Sequence, residues 1–111
     1  MLLERNNMKY ILEYLEYLNY IKMHSMHTIN NYKIDLIQFK EFNGDNLINI
    51  DKNCVNKYMY YLYDLGVSKK TIARKLSSLR NFYNFLYKKN IVDKNYFINI
   101  KYFSFIWMFS I

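Results

Sequence analysis

Several groups of residues have the types and spacing for chemistry, and most of them lack a partner. His24 and His27 are three apart, the spacing of two imidazoles on one helical turn, yet no third metal ligand lies near them. Glu13 and Glu16 are placed for paired carboxylate work, but they fall on a polar helix face with no pocket residue to serve, so solvation is expected. Cys54 is the single cysteine, which excludes an internal disulfide framework and any zinc site built from several thiolates. Beside Val55 in a helical pattern, it is expected to be a buried, inert thiol. Thirteen tyrosines supply phenols, none in an activating context, and the absence of proline beside heavy use of Asn, Lys, Tyr and Ile reads as compositional bias. No metal, cofactor or small-molecule substrate is implied.

The grouping that points to a function is basic. The chain carries sixteen Lys and Arg against nine Asp and Glu, for a net charge of +7. Residues 1–50 contribute −1 and residues 51–111 contribute +8. Between Val67 and Lys89 stand Lys69, Lys70, Arg74, Lys75, Arg80, Lys88 and Lys89 with no acid among them. A cationic stripe this concentrated favours a polyanion, and nucleic acid is the commonest one.

The elements that position these residues are helices. With 111 residues and 52% hydrophobic content, one domain with a modest core is expected. The first helix runs from about Asn7 to Lys22, with Met8, Ile11, Leu15 and Leu18 on one face. Ser25 or Thr28 caps a second, to about Phe42, which buries Tyr32, Leu36, Phe39 and Ile29; Asn43-Gly44-Asp45-Asn46 stops it. Asp51 caps a third, presenting Val55, Tyr58, Met59, Leu62 and Leu65 and ending at Gly66. Ser68 caps the fourth and longest, to about Lys89, with Ile72, Leu76, Leu79, Tyr83 and Leu86 inside and Lys70, Arg74, Ser78, Asn81 and Lys88 outside. No strand pattern is visible, so the fold class is all-α, a compact four-helix bundle. The stretch after Met1 is amphipathic, which predicts no leader and a cytoplasmic location. The domain is expected to occupy residues 1–100. Residues 101–111 form an apolar tail, too short for the roughly 20 residues of a membrane helix and poorly suited to be a linker.

The second helix carries Thr28-x3-Tyr32-x2-Asp35-Leu36-x2-Phe39-x2-Phe42. The fourth carries Gly66-x-Ser68-x2-Thr71-Ile72-Ala73-Arg74-Lys75-Leu76-Ser77-Ser78-Leu79-Arg80-x-Phe82-Tyr83-x-Phe85-Leu86, followed by Asn90-Ile91 and Asp93-x-Asn95. Together, and in this order, they resemble the N-terminal core-binding, SAM-like domain of tyrosine recombinases of the phage-integrase and Xer type, over residues 7–100. Tyr96 stands where that family usually has proline. The resemblance implies a four-helix bundle that forms one half of a C-shaped clamp on DNA, its second and fourth helices crossing the major groove. The family's catalytic Arg, Lys, His and Tyr belong to the other half, which nothing here matches; no His-x-x-Arg is present. By itself the chain is expected not to cleave DNA, and the tail is expected to stand in place of the linker to a catalytic domain.

The expected partner is double-stranded DNA, with full-length recombinase protomers as further partners and no membrane. A helix fits the major groove and its cationic face meets phosphates on either side. Ser68, Lys69, Lys70, Thr71, Arg74 and Lys75 occupy the start of the fourth helix, Ser78 and Asn81 continue its outer face, and Thr28, Asn30, Asn31 and Lys33 open the second helix toward the other strand. Arg74 is the foremost candidate for a base edge or close phosphate, since its fork engages guanine bidentately. Arg80 has two readings, a DNA contact or an internal pair with Asp35. Tyr83, Phe82, Phe39 and Phe42 are expected in the core rather than as stacking platforms. Rival readings are a non-cutting regulator at recombination sites, a helical protein-interaction module, and a non-functional recombinase remnant.

Overall fold

In the computed structural model, which describes the backbone of residues 2–98 and the side chains of residues 7–98, helix α1 spans Leu2–Tyr20. It begins five residues earlier than its apolar pattern predicts, because no capping residue marks its start. Asn7 ties it to the rest of the fold. Its side-chain amide donates to the Asp45 carbonyl at 2.7 Å and accepts from the Leu47 backbone N–H at 3.1 Å.

Helices α2 (Met26–Phe42), α3 (Lys52–Asp64) and α4 (Lys69–Lys88) begin at Ser25, Asp51 and Ser68. Each cap side chain accepts from the N–H three residues on, at 3.2, 2.9 and 3.2 Å, satisfying a donor that the helix cannot. Ser25, not Thr28, is therefore the cap of α2. Gly66, at φ +80°, turns the chain after α3 in the left-handed region open to glycine. Among the described residues these four helices are the only regular elements, and none is long and apolar enough to cross a membrane. The tail expected over residues 101–111 lies outside the described residues.

Helix α4 packs on each of the other three. Its inner stripe, Ile72, Leu76, Leu79, Tyr83 and Leu86, is buried as its spacing predicts, with Phe82 beside it. Ile11, Tyr14 and Leu18 meet it from α1, Ile29, Leu36 and Phe39 from α2, and Val55, Tyr58, Met59 and Leu62 from α3. At the edges of these stripes one expectation fails and two hold only in part. Leu65 is exposed, one residue beyond the end of α3, whereas Tyr32 and Phe42 are half-buried, packing against the core from its margin. Cys54 is likewise only partly covered, not fully buried.

After α4 the chain folds back. Asn95 donates to the Arg80 carbonyl at 3.0 Å and to the Asn84 side chain at 2.9 Å, which sets Phe97 into the core. There its ring stacks on Tyr83 at 5.2 Å and meets Phe39 edge-on at 5.5 Å.

The phenols of Tyr14, Tyr58 and Tyr83 lie in this core, and burial raises all three above the ordinary tyrosine value of 10.0. The folded state thus holds these protons where the unfolded chain releases them. Above pH 10 the unfolded state binds fewer protons, so stability falls as pH rises. Thermal midpoints followed by far-ultraviolet circular dichroism are expected to drop through the alkaline range above that value. A midpoint that stays level to roughly one unit beyond it contradicts the buried phenols.

Candidate nucleic-acid interface

Helices α2 and α4 run antiparallel along a polar seam, with Tyr32 opposite Asn81, Asp35 opposite Arg74 and Ser78, and Gln38 opposite Lys75. At its centre lies Asp35, fully buried. Its carboxylate accepts from Arg74 Nη1 at 2.7 Å, from Ser78 Oγ at 2.8 Å and from Lys75 Nζ at 3.0 Å. Lys75 also donates to the Gln38 side-chain oxygen. A charge withdrawn from water costs several kcal/mol unless it is paired and hydrogen-bonded, and here two cations and a hydroxyl surround one anion. Tyr58 lies close enough to feel it: burial first, then the Asp35 charge, keep its phenol protonated.

The two cations differ in exposure. The Lys75 side chain is 8% exposed, whereas that of Arg74 is 47% exposed. Arg74 is thus held through Nη1 while nearly half of its side chain stays exposed. Lys75 and Ser78, expected on the DNA-facing side, lie instead inside the seam. The carboxylate between the helices draws them in, and they are unavailable to a partner on the surface. Arg80 does not pair with Asp35; it donates to Ser77 Oγ at 3.2 Å.

The outer face of α4 is a narrow stripe. At about 100° per residue, Lys70, Arg74, Ser77, Asn81 and Lys88 fall within about 60° of one another. All are exposed except the half-buried Ser77. Sequence alone places Lys88 on the outer basic face without naming it a contact and misses Ser77, although the four-and-three spacing from Lys70 leads to both. Lys69 is exposed about 100° around the helix from Lys70. Ser68 and Thr71 are engaged in the α4 cap, where the two hydroxyls lie 3.0 Å apart.

The start of α2 lies at the other end of the seam. From Lys70 to the α4 position level with Asn31 is about 12 residues, or roughly 18 Å. Asn31 lies on the seam side, near His27 Nε2 at 3.4 Å. Thr28 repeats the cap geometry of Thr71, with Ser25 Oγ at 3.0 Å. Asn30 and Lys33 are exposed, but Lys33 sits about 160° around α2 from Asp35, away from the α4 stripe. By helical position Asn31 thus falls on the side of α2 that faces α4, and Lys33 does not. Around His24 and His27, as elsewhere among the described residues, no three His, Cys, Asp or Glu side chains are grouped to hold a metal ion.

Comparison with known proteins agrees with this architecture. The chain is 44% identical over 71 residues to the tyrosine recombinase XerC of Pediococcus pentosaceus, covering 60% of this chain and 24% of that protein. XerC of Listeria monocytogenes is 36% identical over 70 residues, 60% of this chain and 23% of that protein. XerC of Halalkalibacterium halodurans is 36% identical over 72 residues, 61% and 24% respectively. The chain thus aligns with about a quarter of the length of these relatives. No solved structure matches it. Residues 11–90, which contain the Asp35 seam and the whole of α3 and α4, match the family described as phage integrase, N-terminal SAM-like domain, and the chain belongs to that family.

Proposed function

We propose that the chain grips double-stranded DNA with the outer stripe of α4 and the start of α2, as the N-terminal clamp half of a site-specific tyrosine recombinase. The observation that carries the reading is Arg74, anchored through Nη1 by a buried carboxylate yet exposed over nearly half of its side chain, between Lys70 and Asn81 on a face without acids. An arginine so held loses less freedom when it engages a phosphate or a guanine edge, and its fork suits either. Lys70 and Lys88 supply point charges toward the two ends of the stripe, and Asn31 reaches the same face from α2. The span of roughly 18 Å allows contacts on both sides of a major groove about 12 Å wide. Ser68, Lys69 and Thr71 stand at the phosphate end of α4, and Thr28 and Asn30 flank the opposite end.

Recombination itself requires a catalytic half. On this reading the chain contributes grip and not strand cleavage, in the cytoplasm, alongside recombinase protomers that carry the catalytic residues.

Amide chemical-shift mapping with a short duplex tests the surface. Shifts are expected at Lys70, Arg74, Ser77, Asn81 and Asn31, with Lys52–Asp64 unmoved. Shifts centred on α3 would place the DNA elsewhere and overturn the assignment.

A further inference from the structure

Where α4 ends beside the end of α1, the two helices and the start of α2 enclose a hollow of about 680 Å³. Its walls are aromatic: Phe85 lies 5.1 Å from both Tyr14 and Tyr17, ring centre to ring centre. Its rim is cationic, formed by Lys22, Lys88 and Lys89, and no carboxylate lines it. Two of the ammonium groups rest on the rings, Lys22 at 5.9 Å from the Tyr17 centroid and Lys89 at 4.9 Å from that of Phe85. Tyr17 and Phe85 are only half-buried and all three lysines are exposed, so a lysine that swings outward uncovers a ring face.

Aromatic faces beside flexible cations suit an unpaired nucleotide. The base stacks on a ring, and the ammonium exchanges its ring contact for a phosphate. An intact duplex keeps its base faces covered, and an acidic peptide would use the lysines while leaving the rings idle. Asn81, on the outer stripe with Arg74, also lines the hollow, so the hollow continues the face assigned to the duplex. We propose that it binds an unpaired nucleotide of a DNA strand, the base against Tyr17 and Phe85 and the phosphate on Lys22, Lys88 and Lys89. This is a second site that adjoins the duplex face at Asn81 and Lys88, and it rests on the duplex reading for the source of the strand.

The test is fluorescence anisotropy of the full chain with three probes built on one duplex: blunt, with a short thymine overhang, and with an abasic overhang of equal charge. The thymine overhang is expected to bind roughly tenfold more tightly than the abasic one, the scale of one stacked base. Tyr17→Leu should erase that preference, and the exposed pair Lys22→Gln, Lys89→Gln should weaken overhang binding. Tyr17→Leu should leave blunt-duplex affinity unchanged, and the lysine pair should lower overhang affinity more than blunt-duplex affinity. Equal binding of thymine and abasic overhangs overturns the site, as does a preference that survives both variants. Displacement of the thymine overhang by an acidic tyrosine-bearing peptide at lower concentration than by free thymine strand overturns it too. Blunt-duplex binding without a thymine preference sinks this site alone; thymine binding without blunt-duplex binding sinks the duplex grip alone.

Discussion

Replacing Asp35 with asparagine will destabilise the domain by about 3–5 kcal/mol, a large share of the stability of a chain this size. The loss comes from what remains behind. Lys75 is left buried without its counter-charge, and because asparagine keeps one acceptor oxygen where the carboxylate had two, either Lys75 or the pair Arg74 and Ser78 faces an amide NH2. Changing Lys75 to methionine in the same chain should recover most of the loss, because neutral partners replacing a buried ion pair are often neutral or stabilising. Urea denaturation of the single and double variants measures both effects. If the single variant unfolds within about 1 kcal/mol of the parent, the buried pair is not the anchor described. The rescued double variant also keeps the net charge of the parent, since one acid and one base are removed together. It nevertheless loses the clamp on Arg74. Duplex affinity is therefore expected to fall, although a surface-charge argument predicts no change.

Phe39→Ala should cost a similar amount, about 3–5 kcal/mol, through transfer and cavity terms together. Phe39 is fully buried, and its ring lies 5.1 Å from Tyr58, 6.3 Å from Tyr83 and 5.5 Å from Phe97. It thus joins α2, α3, α4 and the returning chain at one point. Truncation removes all three edge-on contacts and leaves a void that the stiff rings around it fill poorly. Thermal denaturation should show a large drop in midpoint, with Phe39→Leu intermediate. A loss below about 1.5 kcal/mol for Phe39→Ala would mean that the aromatic cluster closes over the gap.

The helices were legible because their signals are local. Ser25, Asp51 and Ser68 each stand before an apolar repeat, and the inner stripe of α4 needs only its own spacing. The early start of α1 was not legible, since nothing before Leu2 marks a cap. The seam was legible in kind but not in detail. A partner for Asp35 on α4 could be anticipated, yet its identity depends on how the two helices are aligned, which neither helix states alone. The antiparallel register sets Asp35 opposite Arg74, Lys75 and Ser78. Arg80 lies about 200° around α4 from Ser78, so it points elsewhere. Lys75 and Ser78 were assigned to the surface because lysine and serine are usually there. Only the buried carboxylate explains their position, and its burial is a tertiary fact. The hollow near Tyr17 was invisible for the same reason: its rings and lysines come from the ends of separate helices.

The central claim is that the outer stripe of α4 meets duplex DNA, and a salt titration tests it most directly. Affinity of the full chain for a labelled duplex should fall log-linearly with salt, with a slope of roughly 0.9 for each phosphate engaged. In the Lys70→Ala, Arg74→Ala double variant, affinity should drop and the slope should become shallower by about 2. A folded double variant with the affinity and slope of the parent, or a parent that does not bind duplex at low salt, would contradict the account.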